Sequence, residues 1–128
     1  MYKPALTTGA LMAALAVILG AFAAHALKQL LPPDQLAIFE TGVRYQFYHS
    51  FALLAAGITY LSYPVKQLRF ATTFFLIGIV LFSGSLYAMT LMSTTGATLG
   101  PVGIITPVGG LCFIIGWLLF FTGIIKKK

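Results

Sequence analysis

Four apolar runs fill almost the whole chain: Leu6–Ala26, Tyr45–Tyr63, Phe70–Met92 and Val102–Ile125. At 1.5 Å of rise per residue, helices of these lengths cross a hydrocarbon core of about 30 Å. Inside lipid every backbone N–H and C=O must be satisfied within the protein, which leaves the helix as the natural element for such runs. The expected fold class is therefore all-α: an integral membrane four-helix bundle forming a single domain over residues 1–128.

Composition agrees with lipid as the solvent. Only 8% of the residues are charged and 59% are hydrophobic, against about 25% charged in a soluble domain. The net charge of +6 does not suggest nucleic acid, because the basic residues flank the apolar runs instead of forming a soluble patch. The single cysteine, Cys112, has no intrachain disulfide partner and reads as a small buried hydrophobe. The first run, with Lys3 ahead of it and Ala24-His25-Ala26 behind, has the outline of a secretory signal. It is longer than a signal core of about 7–15 residues, so it is read as a retained span.

Charge sets the expected orientation. With four spans, Lys3, Lys66, Arg69, Lys126, Lys127 and Lys128 share one side of the membrane, and Lys28 and Arg44 lie on the other. The positive-inside rule then puts both termini in the cytoplasm of a bacterial inner membrane. The terminal lysine run reads as an anchor against anionic lipid.

Small residues mark the packing faces. Gly9, Ala13, Ala16, Gly20 and Ala24 recur every three or four positions in the first run, and Gly109, Gly116 and Gly123 every seven in the fourth. Both patterns admit a close neighbouring helix. Pro32-Pro33 ends the first helix and pre-sets the next. A short interfacial helix is expected between spans 1 and 2, bending into the membrane near Gly42. The third loop, Ser93–Gly100, is uncharged and reads as flexible.

Polar residues inside spans carry the functional information. By depth, His25, Glu40, Arg44, Tyr48, His49, Ser83, Ser85, Tyr87 and Thr106 all fall in the outer half. Glu40 and Arg44, four apart, are placed to form an ion pair. His49 shares a face with Gly42, Tyr45, Ala52 and Ala56, which should point inward. At about 100° per residue, Glu40 and His49 point to opposite sides of a straight helix. The cluster is thus one site if the helix bends and two if it does not. No histidine pair at metal-ligand spacing and no nucleophile or cofactor motif accompanies these residues, so neither a metal site nor an enzyme is expected.

Four stretches carry a family resemblance: Gly20–Lys28, Glu40–His49, Leu81–Tyr87, and Ile105–Gly110 followed by Gly116-Trp117. Together they resemble the small four-span inner-membrane family grouped as domain of unknown function 423, whose eukaryotic relative is transmembrane protein 256. Ala23 stands where that pattern has glycine and Gly42 where it has alanine. The resemblance implies a multi-pass bundle and supplies no activity. The expected function is a non-enzymatic outer-leaflet polar pocket built from His25, Glu40, Arg44, Tyr48, His49, Ser83 and Ser85. It would take a small molecule, a lipid or quinone headgroup, or a partner membrane protein. The alternatives are a transporter or channel for a small solute or protons, and an accessory subunit of a larger membrane complex. The expected partners are the lipid bilayer and a membrane-protein partner or second copy. No cofactor is expected.

Overall fold

The computed structural model describes residues 1–96, 100 and 102–126. Lys127, Lys128 and part of the third loop lie outside the described residues. Four long helices account for most of the described chain: α1 (Lys3–Leu30), α2 (Pro33–Thr59), α3 (Lys66–Ser93) and α4 (Val102–Ile125). No strand occurs among the described residues. α1 contains a π-helical turn at Ala23–Leu27, and α3 contains one at Ile79–Ser83.

The helix boundaries follow from local chemistry. Leu31 is extended (φ −104°, ψ 142°), as the residue before a proline must be. Pro33 then opens α2, where its missing N–H costs nothing. Val65, also extended, precedes α3. Past the end of α3, Gly96 adopts φ 75°, a backbone geometry that favours glycine. Neither a separate interfacial helix nor a break at Gly42 forms: α2 is continuous from Pro33 to Thr59. It stops short of the expected span end, and the chain turns over Tyr60–Ser62.

α1 packs chiefly on α2, α4 chiefly on α3, and α2 on α3. The small residues allow these approaches. A Cβ on Gly9 would stand 3.0 Å from the Ser50 carbonyl oxygen. A Cβ on Gly109 would strike the Phe82 backbone, and one on Gly116 the Phe75 ring at 2.7 Å. The Gly9 and Ala16 stripe and the α4 glycine groove are therefore spent inside the molecule, while Ala24 remains exposed. One apolar core joins Leu53, Ala71, Phe75, Ile79 and Phe113. A second joins Ala23, Leu27, Leu31, Phe39 and Val43.

Large apolar side chains also cover the outside. Leu11, Val17 and Ile18 of α1 and Leu111, Ile114, Leu118 and Phe121 of α4 are all exposed. An apolar exterior of this extent calls for a lipid solvent. By length and hydropathy α1, α3 and α4 can each cross a membrane. α2 is not among these three, because it carries Arg44, Gln46, His49 and Ser50. Its polar side chains Gln46, His49 and Ser50 are turned inward.

Candidate functional site

The outer-half polar residues separate into two assemblies with different surroundings. The first is internal and centred on Gln46, which is 3% exposed. Its Nε2 donates to the Met12 carbonyl on α1 at 2.8 Å. Its Oε1 accepts from the Tyr87 hydroxyl on α3 at 2.7 Å. Ser50 Oγ donates to the Gln46 carbonyl at 2.6 Å. Ser83, at the end of the α3 π turn, donates to the Gly42 carbonyl at 2.7 Å. Gly42 lacks a side chain because Tyr87 occupies the place: a Cβ would stand 2.8 Å from its ring. This network ties α1, α2 and α3 together. Among the described residues no buried side-chain nitrogen or oxygen is left without a partner.

The second assembly faces outward. Tyr45, Tyr48 and His49 of α2, Phe82 of α3, and Pro107, Gly110, Phe113 and Trp117 of α4 line an open groove of about 820 Å³. At its base His49 (4% exposed) stacks on Phe113 with centroids 3.5 Å apart and planes within 8°. Its Nδ1 lies 2.8 Å from the Tyr45 carbonyl oxygen. The Trp117 indole donates to its Nε2 across 3.1 Å. A carbonyl only accepts and an indole only donates. The ring is therefore neutral, with its proton on Nδ1, and both nitrogens are fully used. Tyr45 packs edgewise on Tyr48 (5.6 Å) and against Phe82 (4.8 Å). Tyr45 is 38% and Tyr48 53% exposed. Among the described residues neither phenol hydroxyl has a protein partner.

The seven residues singled out from sequence do not converge. Tyr48 and His49 line the groove. Ser83 belongs to the buried network, and Ser85 bonds Phe82 O and Thr106 Oγ1 between α3 and α4. His25 is exposed on α1, its Nδ1 bound to the Ala21 carbonyl 2.8 Å away. Glu40 and Arg44 are exposed on α2. The expected ion pair between them is absent among the described residues, because Arg44 donates instead to Thr41 Oγ1 at 3.2 Å. Glu40 is thus turned away from His49. Sequence reasoning missed Gln46, although a glutamine inside an apolar run was a visible signal. It also missed the groove-lining role of Tyr45, Phe113 and Trp117. Among the described residues no group of three or more His, Cys, Asp and Glu side chains is placed to hold a metal ion.

Helical and largely apolar on its outer faces, the chain is a small membrane protein. It belongs to the DUF423 family of proteins of unknown function, whose profile matches residues 19–110. It is 41% identical over 123 residues to a UPF0382 membrane protein of Haemophilus influenzae, covering 96% of this chain and 94% of that one. It is 40% identical to UPF0382 membrane protein YwdK of Bacillus subtilis, over 92% of this chain and 93% of that protein. To the UPF0382 inner membrane protein YgdD of Escherichia coli it is 35% identical, over 88% and 82% of the two chains. No solved structure matches the chain.

Proposed function

We propose that this is a non-enzymatic four-span inner-membrane protein whose groove between α2 and α4 binds a planar, apolar ring bearing acceptor oxygens, of the quinone type. Both termini lie in the cytoplasm. The observation carrying this reading is the pairing of an aromatic wall with two unpartnered phenol hydroxyls, Tyr45 and Tyr48, beside a cavity of about 820 Å³. That volume falls in the range of small-molecule sites, about 300–1,000 Å³. Aromatic edges and faces favour a flat ring. A phenol hydroxyl surrounded by lipid gains most from a ligand oxygen that accepts its proton. The core between the helices is filled by Leu53, Phe75 and Phe113, which favours binding over conduction.

Trp117 is the chain's one tryptophan and stands in the groove wall, so its fluorescence reports occupancy. Purified protein in lipid nanodiscs should show saturable quenching by a decyl-substituted benzoquinone and none by decanol. Gly110 supplies a plug: a Cβ there meets only the Phe82 ring, at 3.8 Å. Gly110→Leu should fill the groove, preserve the fold and abolish saturation. Quenching that rises linearly and identically in wild type and Gly110→Leu would refute the assignment.

A further inference from the structure

At the end of the molecule opposite Glu40, the structure gathers positive charge around a second, smaller cavity. The N-terminus of α1 meets the C-terminus of α2 there, as Tyr2 N–H donates to the Gly57 carbonyl at 3.0 Å. The N-terminus of α3 meets the C-terminus of α4 there too, as a Cβ on Gly123 would stand 3.2 Å from Gln67 Cβ. Tyr2, Lys66, Arg69, Phe70 and Thr73 line a cavity of about 300 Å³. The Arg69 guanidinium sits over the Tyr2 ring, 5.5 Å from its centroid, and Tyr2 in turn packs on Tyr60. The ring positions the guanidinium without using its five N–H donors. Among the described residues neither Arg69 nor Lys66 has a side-chain hydrogen bond or ion pair. The chain has two acidic residues in all, Asp34 and Glu40, both near the start of α2. Glu40 stands seventeen residues before Gly57, or about 25 Å along the helix. Among the described residues the cations therefore face no acidic side chain.

A narrow cleft continues from this cavity. Tyr2 and Thr73 border both the cavity and a smaller pocket of about 100 Å³, which runs between Ala5 and Thr8 of α1 and Thr72 and Leu76 of α3. Leu76 lies ten residues along α3 from Lys66, or about 15 Å deeper. We propose that Lys66, Arg69 and Tyr2 form a binding site for the phosphate of an anionic phospholipid, with an acyl chain entering the cleft between α1 and α3. A guanidinium fork matches phosphate oxygens in pairs. The adjoining cleft favours a lipid phosphate over a free one, since inorganic phosphate has no tail to occupy it. The site shares no lining residue with the ring groove and does not depend on that assignment.

The test is native mass spectrometry of the full chain in mild detergent, titrated separately with phosphatidylglycerol, phosphatidylcholine and inorganic phosphate. Phosphatidylglycerol should be retained at one equivalent, at least fivefold more strongly than phosphatidylcholine. Arg69→Gln with Lys66→Gln should reduce that retention about tenfold, while Lys28→Gln at the opposite end leaves it unchanged. Lys66→Gln alone replaces an exposed side chain without a protein partner, so it keeps the fold and should weaken retention about threefold. Equal retention of the two lipids, or wild-type retention by both Lys66→Gln and the double variant, overturns the site. Inorganic phosphate held in a Lys66- and Arg69-dependent way without phosphatidylglycerol retention overturns the lipid assignment.

Discussion

Replacing Gln46 by leucine tests whether the internal network, and not apolar contact alone, fixes α1 and α3 against α2. Leucine is close to glutamine in volume, so packing changes little. Two interhelical hydrogen bonds are lost, to Met12 O and from the Tyr87 hydroxyl. Such bonds within membranes average about 0.6 kcal/mol and reach about 1.7. The Met12 carbonyl is only mildly affected, since it also accepts within α1. The half-buried Tyr87 hydroxyl loses its Gln46 acceptor, which costs a further 1–3 kcal/mol or so. Gln46→Leu should therefore destabilise by about 2–4 kcal/mol. Tyr87→Phe strands Gln46 Oε1 in the same way and should cost about 1–2 kcal/mol. The double variant strands neither group, so it should cost less than Gln46→Leu alone, about 1–2 kcal/mol, with a coupling of about 2–3 kcal/mol. Reversible unfolding in dodecyl sulfate mixed micelles, followed by Trp117 fluorescence and far-UV circular dichroism, gives the four free energies of the cycle. Additive single-variant costs, or a Gln46→Leu cost below about 0.5 kcal/mol, would refute the network as a determinant of the fold.

Two further predictions concern packing and orientation. Gly109→Val places a side chain against the Phe82 main chain, which cannot rotate away, so α3 and α4 must separate and stability should fall by about 1–3 kcal/mol or more. Gly110→Ala next to it meets only a ring at van der Waals distance and should stay within about 0.5 kcal/mol of wild type in the same unfolding assay. For orientation, single cysteines replacing Gln29 and Pro64 in a Cys112→Ser background would be treated with a membrane-impermeant maleimide in spheroplasts. Gln29→Cys should be labelled from outside and Pro64→Cys only after lysis. The reverse pattern would overturn cytoplasmic termini.

The sequence made the helices readable because lipid demands long apolar runs, and the small-residue stripes in α1 and α4 named their packing faces. Counting at a fixed rise also assigned each polar residue an expected depth. The sequence was weaker on direction around each helix. The Ala23–Leu27 and Ile79–Ser83 π turns each widen a turn of helix and so rotate the side chains that follow. A wheel drawn at constant angle does not foresee that rotation. Partners were hidden for a different reason. Gln46 is bound by the backbone carbonyl of Met12, which has no side-chain signature. Glu40 and Arg44 drew attention as charges, yet both are exposed in the first half of α2, where long charged side chains reach the interface and need no partner inside the molecule. His49 shows the converse. Its inward face was legible from Gly42, Ala52 and Ala56, and the indole that completes its hydrogen bonding comes from α4, sixty-eight residues on. With both ring nitrogens satisfied inside the protein, His49 has no hydrogen-bonding capacity left for a ligand. On the ring-binding proposal, polar recognition in the groove falls to the hydroxyls of Tyr45 and Tyr48, with His49 packed on Phe113 and bonded to Trp117 in its wall.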